Sequence, residues 1–180
     1  MDDRARSPLM SDLTDTAQRR ARFEALCGTL RADLYRFAFW LARDRAVAED
    51  VVQDTLLRAW RSFDGLSEDA AVRPWLLTIA RREFARRFER KRLDLVDLDE
   101  LDAVGDPALA TGDGSEIAEL RAAVFALEED YREPLVLQVL LGYTTEEIAT
   151  HMGLKPGAVL TRLFRARQKL RAALVDGAAP

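Results

Sequence analysis

The stretch TTEEIATHMGLKPGAVLTRLFRARQKL, residues 144–170, decides how this chain reads. Thr144 with Glu147 three residues on has the form of a capping box, which satisfies two N–H groups at the start of a helix. Ile148, Ala149 and Met152 then supply an inner face, with Ala149 small where two helices must approach closely. Gly153 stands where a tight turn favours a residue free to adopt positive φ. Pro156 can open the next helix because its missing N–H would have no partner there. Beyond it Val159, Leu163, Ala166 and Leu170 make one apolar stripe, while Thr161, Arg162, Arg165, Arg167 and Lys169 project elsewhere. Small residue, glycine and apolar anchor fall at the spacing of a helix-turn-helix. Arginines on such a second helix can pair with phosphates or with guanine edges, the alternative being a solvated face on an ordinary hairpin.

Working outward, apolar residues recur at three- and four-residue steps from Phe23 through Leu26, Leu30, Leu34 and Phe37 to Leu41, which predicts a helix starting near Ala17. A second helix is expected over 46–63 and a third over 70–90, with Phe63 to Ser67 as a loop between them. Pro74 is tolerable in the first turn of the third. Helices are expected again over 116–128, 131–141, 144–152 and 156–174, with Gly142 as a C-terminal cap. Strand-like alternation is absent. The fold class is all-α: two small helical domains, 18–92 and 116–175, behind a loose polar leader (1–17) and joined by a flexible acidic linker over 93–115 with a short helical turn at Leu95 to Leu101.

Charge follows the same division. The net charge of −4 hides seven Lys/Arg against two Glu from Arg81 to Arg92, nine acids and no base from Leu93 to Glu119, and six bases and no acid from Lys155 to Arg171. Two basic blocks on either side of an acidic connector can bind a polyanion despite the total. Arg82, Arg86 and Arg90 recur every four residues and share a face that can track a DNA backbone. Hydrophobic residues at 48% and charged residues at 32% indicate a globular chain rather than a disordered one.

The same counts bear on chemistry. One cysteine, Cys27, rules out an internal disulfide, and one histidine, His151, makes a His-based metal site or triad hard to assemble. Cys27 is expected to pack in the first helix and His151 to lie on the helix-turn-helix surface. Asp97, Asp99 and Asp102 could be imagined as metal ligands but read as part of an acidic connector. No apolar run approaches the roughly 20 residues of a membrane span, and the first fifteen residues lack a secretory core. No catalytic residue, metal or cofactor is expected, and the cytoplasm is the simplest home.

Three segments together resemble the extracytoplasmic-function group of sigma factors: AEDVVQDTLLRAW (48–60), WLLTIAR (75–81) and GAVLTRLFRAR (157–167). The resemblance covers roughly residues 20–92 and 116–174. It implies a two-domain adaptor for RNA polymerase that recognises promoter DNA and helps to open it. By that resemblance Asp50, Gln53, Asp54 and Leu57 dock on the clamp helices of the largest polymerase subunit, and their spacing does put them on one helix face. Trp60 reads as a core residue. Phe63 and Ser67 would hold a flipped base of the −10 element, and Arg81, Arg82 and Arg86 would contact the −10 DNA. Lys155, Thr161, Arg162, Phe164 and Arg165 would read the −35 duplex, while the same domain touches the flap of the second subunit. An anti-sigma partner, often membrane-held in this family, is implied too.

Some positions depart from the family pattern: Arg82 stands where Asn is usual, the segment between Phe63 and Trp75 is two or three residues longer, and Leu160 replaces a frequently basic residue. Two other functions compete. A stand-alone helix-turn-helix regulator would leave residues 46–92 unexplained. A sigma mimic that titrates an anti-sigma factor would have no need of Arg81, Arg82 and Arg86. The acidic linker could fold back on the basic faces of the free chain.

Overall fold

A computed structural model describes residues 8–66, 69–94 and 115–176; Ser67, Asp97, Asp99, Asp102, the expected turn at 95–101 and most of the acidic linker lie outside them. Among the described residues there are seven α-helices and no strand. They are α1 (Pro8–Ala42), α2 (Arg45–Ser62), α3 (Val72–Asp94), α4 (Ser115–Ala126), α5 (Glu129–Val139), α6 (Thr145–Met152) and α7 (Pro156–Asp176). Two single 3-10 turns, Phe63–Gly65 and Asp69–Ala71, connect α2 to α3.

The first module packs α1, α2 and α3 on one another. Leu34, Phe37 and Leu41 of α1, Val51 and Val52 of α2, and Leu76, Leu77 and Ala80 of α3 fill its core. Cys27 is buried there as expected, and burial pushes its thiol up to about 11, so it stays protonated and inert. The first helix begins at Pro8, nine residues before the expected start, so the second half of the expected leader is helical. Leu9, Met10, Leu13 and Ala17 already stand at three- and four-residue steps there, a short pattern that the surrounding polar residues outweighed in the sequence. Arg19, just past this stretch, donates to the Trp60 carbonyl at 2.8 Å and lies 4.1 Å over the Trp60 ring. At the entry to α2, Asp44 accepts from the Val47 N–H at 2.9 Å, a cap that satisfies one orphan donor.

In the second module α7 packs against α4, α5 and α6. Capping box, turn and stripe form as the sequence predicts. The Thr144 N–H donates to Glu147 Oε2 at 2.8 Å, and the Glu147 N–H donates back to Thr144 Oγ1 at 3.2 Å. Gly153 takes φ +67°, the Leu154 N–H reaches the Ala149 carbonyl at 2.8 Å, and these bonds close the end of α6. Val159, Leu163 and Ala166 are buried. Gly142, expected to cap α5 directly, sits beyond its last residue at φ +70°, where it turns the chain so that the Tyr143 N–H reaches the Leu137 carbonyl at 3.0 Å.

The two modules are not merely tethered: α5 packs on α1, and one contiguous core runs through both. Phe125 meets Trp40 at 4.9 Å and Phe39 at 5.6 Å between ring centroids. Buried Arg132 of α5 donates to the Leu127 carbonyl at 2.7 Å and, across the seam, to the Leu41 carbonyl at 3.1 Å. Both acceptors lie at helix C-terminal ends, where carbonyls lack intrahelical donors and the helix dipole favours a cation.

Candidate nucleic-acid and polymerase interfaces

On α7 the buried stripe turns the opposite side of the helix outward. Lys155, Thr161, Phe164 and Arg165 are exposed, Phe164 by 60%, and Leu160 lies beside them. The Thr161 hydroxyl donates to the Gly157 carbonyl at 2.9 Å, and the residue is otherwise exposed. Arg162 is at the edge of this face and half-buried, paired with Asp130 of α5 at 2.9 Å. The structure thus brings four of the five expected −35 residues together on solvent and holds the fifth against its own module.

The −10 set is divided. Phe63 is 2% exposed and packs edge-on against Phe23 at 5.2 Å, so it is a core residue with no face for a base, contrary to expectation. The aromatic in a loop motif suggested stacking; the ring instead fills the gap between α1 and the end of α2. Arg82 is exposed. Arg86 donates to both Glu83 oxygens at 3.0–3.1 Å, and Glu83, nearly buried, also accepts from Arg58 of α2. Arg81 faces the second module, its Nε 2.6 Å from Oε1 of Glu133.

On α2, Asp50, Gln53, Asp54 and Leu57 form one surface strip, with Leu57 53% exposed. Arg87 of α3 borders it, donating to Asp50 at 2.8 Å and to Asp54 at 2.9 Å. Partial burial works against the Arg87 charge, and the two carboxylates outweigh it, holding the guanidinium above its ordinary value. On the other side of the strip, Gln53 and Leu57 line an open groove of about 1000 Å³ between α1 and α2, floored by Phe23, Tyr35, Leu56 and Trp60. Trp60 is half-buried rather than fully in the core. Sequence reasoning missed Arg87 because its partners lie 33 and 37 residues away.

His151 is also placed differently from expectation. Its side chain is 2% exposed, edge-on to Phe37 at 5.8 Å, with Nε2 3.7 Å from Glu133. Burial, with the charge of Arg81 adding to it, pushes its pKa down to about 4, so it is neutral at pH 7. Glu133, Arg132 and Arg73 were missed as well. The one available signal was a pair of charges, Arg132-Glu133, set against the apolar run from Leu135 to Leu141.

The two modules match two family models in order: Sigma-70 region 2 over residues 26–93 and Sigma-70, region 4 over residues 117–170. The chain is 36% identical over 150 residues to the ECF RNA polymerase sigma factor EcfG of Rhodopseudomonas palustris, covering 81% of both chains. The chain belongs to the ECF sigma factors. It is also 34% identical to SigL of Mycobacterium tuberculosis, over 89% of this chain and 93% of that one. Among solved structures, this sigma factor resembles RpoE of Bartonella quintana in complex with the anti-sigma factor NepR (29% identity, TM-score 0.71, 84% and 97% of the two chains). It also resembles CnrH in complex with the cytosolic domain of CnrY (26% identity, TM-score 0.67, 91% and 96%). Its function is that of an RNA polymerase sigma factor: it binds core polymerase, recognises −35 and −10 promoter elements and promotes strand opening. Neither a stand-alone regulator nor a sigma mimic is favoured beside these matches. Among the described residues no helix is long and apolar enough to cross a membrane.

Proposed function

We propose the following division of labour among the residues of this sigma factor. Asp50, Gln53, Asp54 and Leu57 of α2, with the adjoining groove, dock on the clamp helices of core polymerase. Thr161, Phe164 and Arg165 of α7, with Lys155 just before it, read the −35 duplex, with Arg162 at the edge. Arg82, and Arg81 once it leaves Glu133, contact the −10 element, with Arg86 behind them; Ser67 is the remaining candidate for the loop. Residues 18–92 and 116–175 would be the operative domains. The work is binding: holding an unstacked strand lowers the cost of opening without bond chemistry, so the factor is non-catalytic. A regulatory anti-sigma partner of the kind seen with both solved relatives is proposed for this chain too. The factor would act in the cytoplasm, with a membrane-held inhibitor as the finer reading.

The observation that carries this reading is the outward face of α7, basic and set on the buried stripe of Val159, Leu163 and Ala166. Size-exclusion with core polymerase followed by run-off transcription on a promoter library tests it. A stoichiometric holoenzyme that initiates from a defined subset is expected, with Asp54→Arg weakening assembly and Arg165→Ala changing −35 preference. A chain that never co-elutes with core polymerase, or initiates nowhere, refutes it.

A further inference from the structure

The seam between the modules is polar where a simple apolar contact would have sufficed. Glu133 is 1% exposed, yet its cation Arg81 comes from the other module, from 52 residues earlier in the chain. Three more arginines cross the same seam. Arg73 of α3 donates to the Leu141 carbonyl at 2.7 Å and lies over the Tyr143 ring. Arg43, just past α1, donates to the Phe125 carbonyl at 3.1 Å, and Arg132 donates to Leu41 in the opposite direction. Phe37 against His151 and Trp40 against Phe125 fill the space between them.

We propose that this seam is an intramolecular latch: the α5–α6 face of the second module is the binding partner of α1 and α3 in the free sigma factor, and Arg81–Glu133 is the contact that opening must exchange. The competitor for Arg81, −10 DNA, rests on the proposed function above; the latch itself does not. A buried carboxylate cannot release its cation and stay buried, because an unpaired charge away from water is strongly disfavoured. While Glu133 is ionised, Arg81 is therefore freed only when that carboxylate reaches water, which requires the modules to separate. Burial raises the Glu133 pKa while Arg81 pulls it back, as a charge that depends on its partner should behave. The face of α7 is untouched by the latch, so the closed chain presents its −35 residues while Arg81 is withheld.

Small-angle scattering and amide exchange on the full-length free chain test the latch, with circular dichroism as the control for folding. The wild type should be compact. Glu133→Gln, nearly equal in volume, should raise exchange across α5 by on the order of tenfold. Glu133→Arg and Arg81→Glu should each enlarge the radius of gyration, and the double charge exchange should restore it. The proposal is overturned by a wild type already as expanded as Glu133→Arg, by single variants that stay compact, or by a double exchange no more compact than either single. Should Glu133→Arg lose helical signal, Glu133→Gln and Arg81→Glu decide, since neither forces an arginine into the seam. Run-off transcription separates the two readings. A compact chain that directs no initiation overturns the promoter assignments and leaves the latch standing; an active chain that is open in solution does the reverse. The Glu133→Gln holoenzyme should transcribe as wild type does, because polymerase has already parted the modules; a loss of initiation would overturn the latch as described.

Discussion

Helices α3 and α7 are both rich in arginine, and the structure treats them in opposite ways. On α7 Thr161, Phe164 and Arg165 face water, while Arg162 is tied to Asp130, Arg167 to Gln138 and Lys169 to Glu128, all within its own module. On α3, Arg81 is tied across the seam to Glu133, Arg86 along the helix to Glu83, and Arg87 to the carboxylates of α2. Of the described arginines expected to touch −10 DNA, Arg82 alone is exposed. A basic run therefore marks capacity for a polyanion, and the neighbours brought by the fold set availability.

The largest effect on this contrast should come from Phe37→Ala. The ring is fully buried and touches His151, so its removal should cost about 3–5 kcal/mol in denaturant unfolding. A loss under about 1 kcal/mol would mean that the seam is not packed as described.

Acid should loosen the same place. The folded-state pKa of His151 lies near 4, below the 6.5 of an unperturbed imidazole, so the unfolded chain takes up the proton first. Its contribution to stability is thus intact above about pH 6.5 and is lost as pH falls toward 4, by on the order of 3 kcal/mol if the shift is fully developed. Glu133 acts with the opposite sign: its pKa is raised, so protonation on acidification relieves a buried charge. Comparing wild type with His151→Leu across this window isolates the imidazole, since Glu133 and Arg81 are common to both. Parallel stability curves would remove histidine from the account.

A sharper comparison of the two helices uses arginine deletions. Arg165→Ala should weaken −35 duplex binding by roughly five- to a hundredfold if the side chain meets a guanine edge. Arg82→Ala should leave that duplex affinity unchanged and act only on −10 engagement in the holoenzyme. Equal losses on the −35 duplex would erase the assigned division. The smallest effect is local: Thr144→Ala should cost about 1 kcal/mol through the lost cap at α6, visible as faster amide exchange there.

The second module was largely legible in the sequence because its signals are local. Thr144 and Glu147 are three residues apart, Gly153 needs only its own φ, and Val159, Leu163 and Ala166 repeat at helical steps. The strip from Asp50 to Leu57 was legible for the same reason, although its border at Arg87 was not. Phe63 was misplaced because an aromatic beside Asp-Gly looks like an exposed loop residue, and only Phe23, forty residues earlier, shows that it is covered. His151 was misplaced because a polar residue near the end of a short helix usually faces water, and here α1 lies against it.

By itself the sequence determined the all-helical class, the helix-turn-helix and the family, since helix periodicity, capping and turn chemistry act over a few residues. Only the tertiary structure decided which charges are free, because a Coulombic partner can come from any distance along the chain. Arg81 next to Arg82 makes the case: adjacent in sequence, one is held by a buried glutamate of the other module and the other faces water.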